Sequence, residues 1–162
     1  MTGLMQNIVD YIPQLQRYAF ALTYNADEAE ELVQESLLRA IAKRHSWSSV
    51  KRPRAYLFSI LHNLHVDRRK KALSEANHLN WMKIGEPADR ATDPTIAYDL
   101  ARALQRIPRR QQQVIEMISV EGLTYREAAS ILGVPAGTVM SRLSRGRTAL
   151  RRLLNGRRAY GR

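Results

Sequence analysis

Between Thr124 and Leu154 the sequence TYREAASILGVPAGTVMSRLSRGRTALRRLL permits little except two helices joined by a tight turn. Thr124 with Glu127 three residues later is a capping box, in which hydroxyl and carboxylate satisfy the first free backbone N–H groups of a helix. Ala128, Ala129, Ile131 and Leu132 give that helix a small apolar face, and Gly133 ends it where a left-handed residue is needed. Pro135 stands where a second helix begins, a place that suits its fixed φ and missing donor. Val139, Leu143, Leu150, Leu153 and Leu154 then recur at helical spacing. Thr138, Ser141, Arg142, Arg145 and Arg152 gather on a different side. An apolar back with a hydroxyl-and-arginine front is what a helix needs to enter a DNA major groove. A solvated amphipathic helix would show part of the same pattern, so the rest of the chain has to decide.

The 162 residues accommodate one domain or two small ones, and 44% apolar residues suffice for real cores. With no cysteine there is no disulfide framework, thiolate metal site or cysteine nucleophile. The start, MTGLMQNIVDYIPQLQ, lacks the basic and then apolar regions of a signal peptide, and no apolar run is long enough to span a bilayer. A soluble, cytoplasmic protein without membrane insertion is expected. The net charge of +11 points to a polyanionic partner, and its distribution says more. Residues 1–50 carry net −2, residues 51–73 carry +6, residues 74–100 carry −3, and residues 101–162 carry +10. Solubility alone needs no such segregation; two nucleic-acid footprints do.

Residues 4–23 carry an apolar helical stripe from Leu4 to Leu22, with Pro13 as a point of kinking or restarting. A second helix from about Asp27 to Arg44 has Ala29, Leu32, Val33, Leu37, Ala40 and Ile41 as its apolar side. Acids in a first turn are favoured by the helix dipole. That accounts for the first few and leaves Glu31, Gln34 and Glu35 as an acidic, hydrogen-bonding face for a basic partner. No neighbouring His, Lys or ligand set makes them catalytic. HSWSSVKRP, residues 45–53, is a polar, basic loop around Trp47. That ring is read two ways, as a platform for an unstacked base or as a core anchor. Pro53 opens a third helix that ends in the basic run Arg68–Lys71. His62 and His65, three apart, are read as packing and hydrogen-bonding residues because no further ligand has suitable spacing. Residues 74–94 lose periodicity and contain Gly85, Pro87 and Pro94, which reads as a flexible linker. Helical sequence returns at about Thr95, breaks at Pro108, and resumes in RRQQQVIEMISVEGL. The expected fold is all-α. Its two small helical domains are residues 1–73, with three helices, and residues 95–162, with four helices ending in a helix-turn-helix.

DEAEELVQESLLRA, followed by PRAYLFSILHNLHVDRRKK, resembles region 2 of bacterial sigma factors. The stretch from Ala103 to Leu154 resembles their region 4. With only these two regions and a short linker, the chain is similar to the extracytoplasmic-function (group IV) sigma factors. The resemblance implies that Asp27, Glu31, Gln34 and Glu35 grip the coiled coil of RNA polymerase's largest subunit. It assigns Trp47, Ser48, Ser49, Lys51, Arg52, Arg54, Tyr56, Asn63, Arg68 and Arg69 to the −10 element, with a flipped base and the opened strand. Arg126, Thr138, Ser141, Arg142, Arg145 and Arg147 would meet the −35 element. The implied partners are core RNA polymerase, promoter DNA and an anti-sigma factor, which in some relatives sits at the membrane. The implied form is a monomer on polymerase, serving a stress or envelope-response regulon. Ile41 departs from the pattern, standing where Trp is frequent, and SSVKR replaces a Gly-Asp-Ser type loop. Gly146 costs about 1 kcal/mol relative to Ala inside a helix, unless something must approach it closely.

Two other readings compete. A sigma-like decoy that sequesters an anti-sigma factor would not need Arg142, Arg145 or the basic block at 68–71. A stand-alone helix-turn-helix regulator would not need the acidic helix. An enzyme is the most distant reading, since there is no nucleophile–base constellation, P-loop, metal set or cofactor motif.

Overall fold

The computed structural model describes residues 2–79 and 96–159, which form two helical units without any strand among the described residues. In the first unit α1 spans Thr2–Thr23, α2 spans Ala26–Ala42 and α3 spans Pro53–Leu79, with a 3₁₀ segment at Arg44–Ser49. Helix α1 runs unbroken through Pro13. Asn25 caps α2: its side-chain oxygen accepts from the backbone N–H groups of Asp27 (3.0 Å) and Glu28 (3.1 Å). Both acids then sit in the first turn, where the dipole favours them.

The three helices bury one apolar stripe each. Leu15, Tyr18, Ala19 and Leu22 of α1 meet Leu32, Val33 and Ala40 of α2 and Leu57, Phe58, Leu61 and Leu64 of α3. Tyr18 stacks obliquely on Phe58, with ring centroids 5.1 Å apart. Its hydroxyl shares a 3.0 Å hydrogen bond with Nδ1 of His62. Burial holds His62 down at about 4, so the imidazole is neutral at pH 7. His65 is buried as well, so both histidines are packing residues of α3. Helix α3 continues to Leu79, which makes residues 74–79 helical and corrects the start of the expected linker. The good helix formers Ala72, Leu73 and Glu75 carry the helix past its core contacts. The remainder of that linker, residues 80–94, lies outside the described residues.

In the second unit α4 spans Ile96–Arg106, α5 spans Arg109–Ile115, α6 spans Tyr125–Leu132 and α7 spans Ala136–Ala159. Pro108 separates α4 from α5, and the buried Gln112 bridges the break by donating to the Ile107 carbonyl at 2.8 Å. Helix α5 does not run regularly to Gly122 as its sequence suggests. It widens to a π-type turn over Glu116–Val120, with the Glu121 N–H bonded five residues back to Glu116. That turn lets Met117 and Leu123 both enter the core. Gly122 and Gly133 adopt φ of 67° and 66°, the left-handed values for which glycine has no penalty. The capping box forms in full: Thr124 Oγ1 accepts from Glu127 N at 3.1 Å and Thr124 N donates to Glu127 Oε2 at 2.9 Å.

Helix α7 packs against α4, α5 and α6 through Val139, Leu143 and Gly146. A methyl group at Gly146 would lie 2.8 Å from Ile115 Cδ1 and 3.2 Å from Gln111 Cβ. The close approach that excuses this glycine therefore comes from α5 of the same chain. Gly146→Ala is expected to destabilise the second unit by about 1 kcal/mol net, an overpacking cost of about 2 kcal/mol offset by about 1 kcal/mol of helix propensity. Urea unfolding followed by circular dichroism measures it, and a stabilised variant would show that the α5–α7 contact has room.

Candidate nucleic-acid and partner interfaces

The acidic face of α2 forms as its spacing requires. Asp27, Glu31 and Gln34 are exposed, and Gln34 Nε2 donates to Glu30 Oε1 at 3.3 Å. Glu35 is more sheltered and is committed within the chain. Its carboxylate accepts from Arg39 at 2.9 Å and from Arg68, which arrives from α3. The Arg68 hydrogen bond, aided by the charges of Arg68 and Arg39, outweighs slight burial and holds the Glu35 carboxyl below its ordinary value. Leu38, seven residues after Glu31 and four after Gln34, lies on the same face and is 67% exposed. The sequence reading left Leu38 out of the apolar side of α2 and gave it no role.

The basic surface of α3 is less uniform than its sequence. Lys51, Arg52, Ser48 and Ser49 are exposed around the 3₁₀ segment, while Arg54 and Tyr56 are half-buried. Trp47 is corrected: it is 5% exposed, its Nε1 donates to the Ala40 carbonyl at 2.9 Å, and it meets Tyr56 edge-on at 5.4 Å. A ring so enclosed offers no face to a base and serves instead as the core anchor of its loop. Tyr56, Asn63 and Lys70 share one stripe at helical spacing, whereas Arg68 turns toward α2. Everything from Asp67 to Glu75 is exposed, so the cations Arg68–Lys71 ride on a helix that has left its core.

In the second unit α6 and α7 are joined by the turn at Gly133, where the Ala129 carbonyl in the last turn of α6 accepts from the Val134 N–H. Arg126 and Arg145 are exposed, Thr138 and Ser141 are half-buried, and Ser141 Oγ donates to the Thr138 carbonyl at 3.0 Å. Arg142 is half-buried at the margin of the core stripe, so it does not share Arg145's exposure. Arg147 reaches Ser119 at the end of α5 with a 3.2 Å hydrogen bond. Among the described residues no group of three His, Cys, Asp or Glu side chains is placed to hold a metal ion, and no helix is long and apolar enough to cross a membrane.

These two units have known counterparts. Residues 98–150, α4 to α7, match the family of sigma-70, region 4. Residues 8–62 match the Sigma2 domain of PhyR. Over the chain as a whole, the ECF RNA polymerase sigma factor EcfG of Rhodopseudomonas palustris is 32% identical across 155 residues, 94% of this chain and 85% of that protein. The chain belongs to the ECF sigma factors. This ECF sigma factor is also 34% identical over 155 residues to SigL of Mycobacterium tuberculosis, covering 92% of the one and 88% of the other. Among solved structures it is similar to the sigma factor RpoE of Bartonella quintana, crystallised with the anti-sigma factor NepR. The TM-score is 0.83 and the identity 31%, over 96% of this chain and 98% of that one.

Membership of the ECF sigma factors assigns the chain to transcription initiation, with core RNA polymerase and promoter DNA as partners. The contact that sequence reasoning had no means of finding is Glu35–Arg68. Its members are 33 residues apart, and nothing local to either marks the other.

Proposed function

We propose that the first unit of this sigma factor, about residues 1–73, takes the polymerase on its α2 face and the −10 element on α3. The second, about residues 95–162, reads the −35 element. Asp27, Glu31, Gln34 and Glu35, joined by Leu38, form the polymerase contact. Ser48, Ser49, Lys51, Arg52, Arg54, Tyr56, Asn63 and Arg69 serve the opened strand, with Arg68 shared between DNA and Glu35. Arg126, Thr138, Ser141 and Arg145 meet the −35 duplex, while Arg142 and Arg147 support the helix that carries them. Exposed cations on phosphates give a salt-sensitive affinity, and a few base-edge contacts give sequence choice. Pulling a base from the stack costs a few kcal/mol, which strand contacts offset. The chain carries out no chemistry itself; the polymerase does, in the cytoplasm. Its regulator is an anti-sigma factor of the type that the Bartonella quintana RpoE structure contains, and its promoters belong to a stress regulon.

The observation that carries this reading is the match of both units in one chain to full-length ECF sigma factors. Run-off transcription with core polymerase, followed by sequencing of the 5′ ends, tests it: shared −35 and −10 elements upstream of the starts are expected. Arg145→Ala is expected to cost about 1–3 kcal/mol of discrimination at one base pair of the −35 element. Polymerase affinity should be unchanged. Equal promoter choice by this variant would remove Arg145 from the reading set.

A decoy role has one observation in its favour, the resemblance of residues 8–62 to the Sigma2 domain of PhyR. PhyR of Bartonella quintana is an anti-anti-sigma factor. Exposed Arg126 and Arg145 and the cations of α3 weigh against it, since a decoy needs no DNA surface. A chain that binds an anti-sigma factor but yields no promoter-dependent transcript would reverse that judgement.

A further inference from the structure

The surface of α7 is not uniformly polar. Met140 is 49% exposed and Tyr125, at the start of α6, is 40% exposed. They line one open concavity with Leu143, Ser144, Arg147 and Arg151. Neither Met140 nor Tyr125 belongs to the core stripe, whose α7 members are Val139, Leu143 and Gly146. Two large apolar side chains in water, walled by two arginines, suit a ligand that is anionic at its edge and apolar at one small point.

Duplex DNA has one such feature in its major groove. Each base pair presents donors and acceptors there, and only thymine adds an apolar group, its C5 methyl. Arg151 supplies a phosphate-binding cation and Ser144 a hydroxyl, while Arg147 is held toward Ser119, so the concavity is complementary in charge to a groove edge. Met140 and Arg145 stand roughly 140° apart around the helix axis, so they flank the exposed arc from opposite sides. One helix laid in a groove therefore presents an arginine to one part of the element and an apolar contact to another. We infer that Met140, backed by Tyr125, is a specificity residue that reads the methyl group of a thymine in the −35 element. This rests on the proposed role of α7 as the −35 reader.

The test removes one methyl at a time. Holoenzyme assembled from the full chain and core polymerase is bound to a promoter duplex recovered by start-site sequencing. Each −35 thymidine, on either strand, is replaced in turn by deoxyuridine. At one position or more, binding should weaken about fourfold, the worth of one buried methyl-sized group. Met140→Ala should bind the thymidine and deoxyuridine duplexes equally there, and Met140→Leu should restore part of the preference. Met140 is half exposed and Ala is the better helix former, so the variant folds. The inference is overturned if the unaltered holoenzyme never distinguishes the two bases, if Met140→Ala keeps the distinction, or if the element holds no A·T pair. A docking site for a protein would give the first of those results. If scrambling the whole −35 element has no effect, α7 is not its reader and the proposed function fails as well. Sensitivity to scrambling with indifference to the methyl sinks the inference alone.

Discussion

Truncation of Trp47 to Ala is expected to lower the stability of the first unit by about 3–5 kcal/mol, the range for a buried large aromatic. The ring is 5% exposed, lies edge-on to Tyr56 and is hydrogen-bonded to Ala40. The Ala40 carbonyl belongs to the last turn of α2, where helical partners run out, so the indole N–H satisfies an acceptor that would otherwise be orphaned. Trp47→Phe keeps most of the packing and leaves that carbonyl unpaired, at about 1–3 kcal/mol. Ser48→Ala, one residue on and exposed, should stay within about 0.5 kcal/mol. Urea unfolding of the three variants, followed by far-ultraviolet circular dichroism, orders them. If Trp47→Ala and Ser48→Ala fall together, the ring is not an anchor.

Reversal of charge at two positions of α2, Glu31→Lys with Glu35→Lys, is expected to abolish binding to core polymerase. A like-charge juxtaposition at an interface costs several kcal/mol, and about 3 kcal/mol is already more than a hundredfold in affinity. The fold should survive. Glu31 is exposed, and the Glu35 pairs with Arg39 and Arg68 are surface pairs worth about 0–1 kcal/mol. Titration of labelled core polymerase with the double variant measures the loss, and unfolding curves confirm the intact fold. Retained affinity would remove the acidic face from the polymerase contact. Leu38→Ala in the same titration asks whether the apolar end of that face contributes.

Local chemistry was readable in the sequence wherever one residue type has one cheap solution. Thr124 and Glu127 at their spacing form the capping box, Gly133 takes the left-handed turn, and Pro53 opens α3. The core stripes of α1, α2 and α3 follow from helical periodicity. What stayed closed depended on tertiary placement. An aromatic in a basic loop has the same letters whether it points in or out, and only the Ala40 carbonyl decided for Trp47. The widening of α5 has no sequence signature, because Glu116–Val120 reads as ordinary helix until Met117 and Leu123 must share one core. The Arg68–Lys71 run looked like a single patch, yet Arg68 is turned away from the Tyr56–Asn63 stripe by helical geometry and held by Glu35. On α7 the arginines were visible and the exposed Met140 was not, since methionine on a helix is ordinarily core.

The hydrogen that Gly146 carries in place of a side chain has a mechanical meaning. Ile115 and Gln111 fill the space that a side chain at Gly146 would take, so α7 lies close against α5 at this point. That close approach helps to set the azimuth at which Arg145 faces outward. On the proposed reading of the −35 element, a heavier residue at 146 would press α7 away from α5 and shift Thr138, Ser141 and Arg145 together, changing promoter preference with none of them replaced.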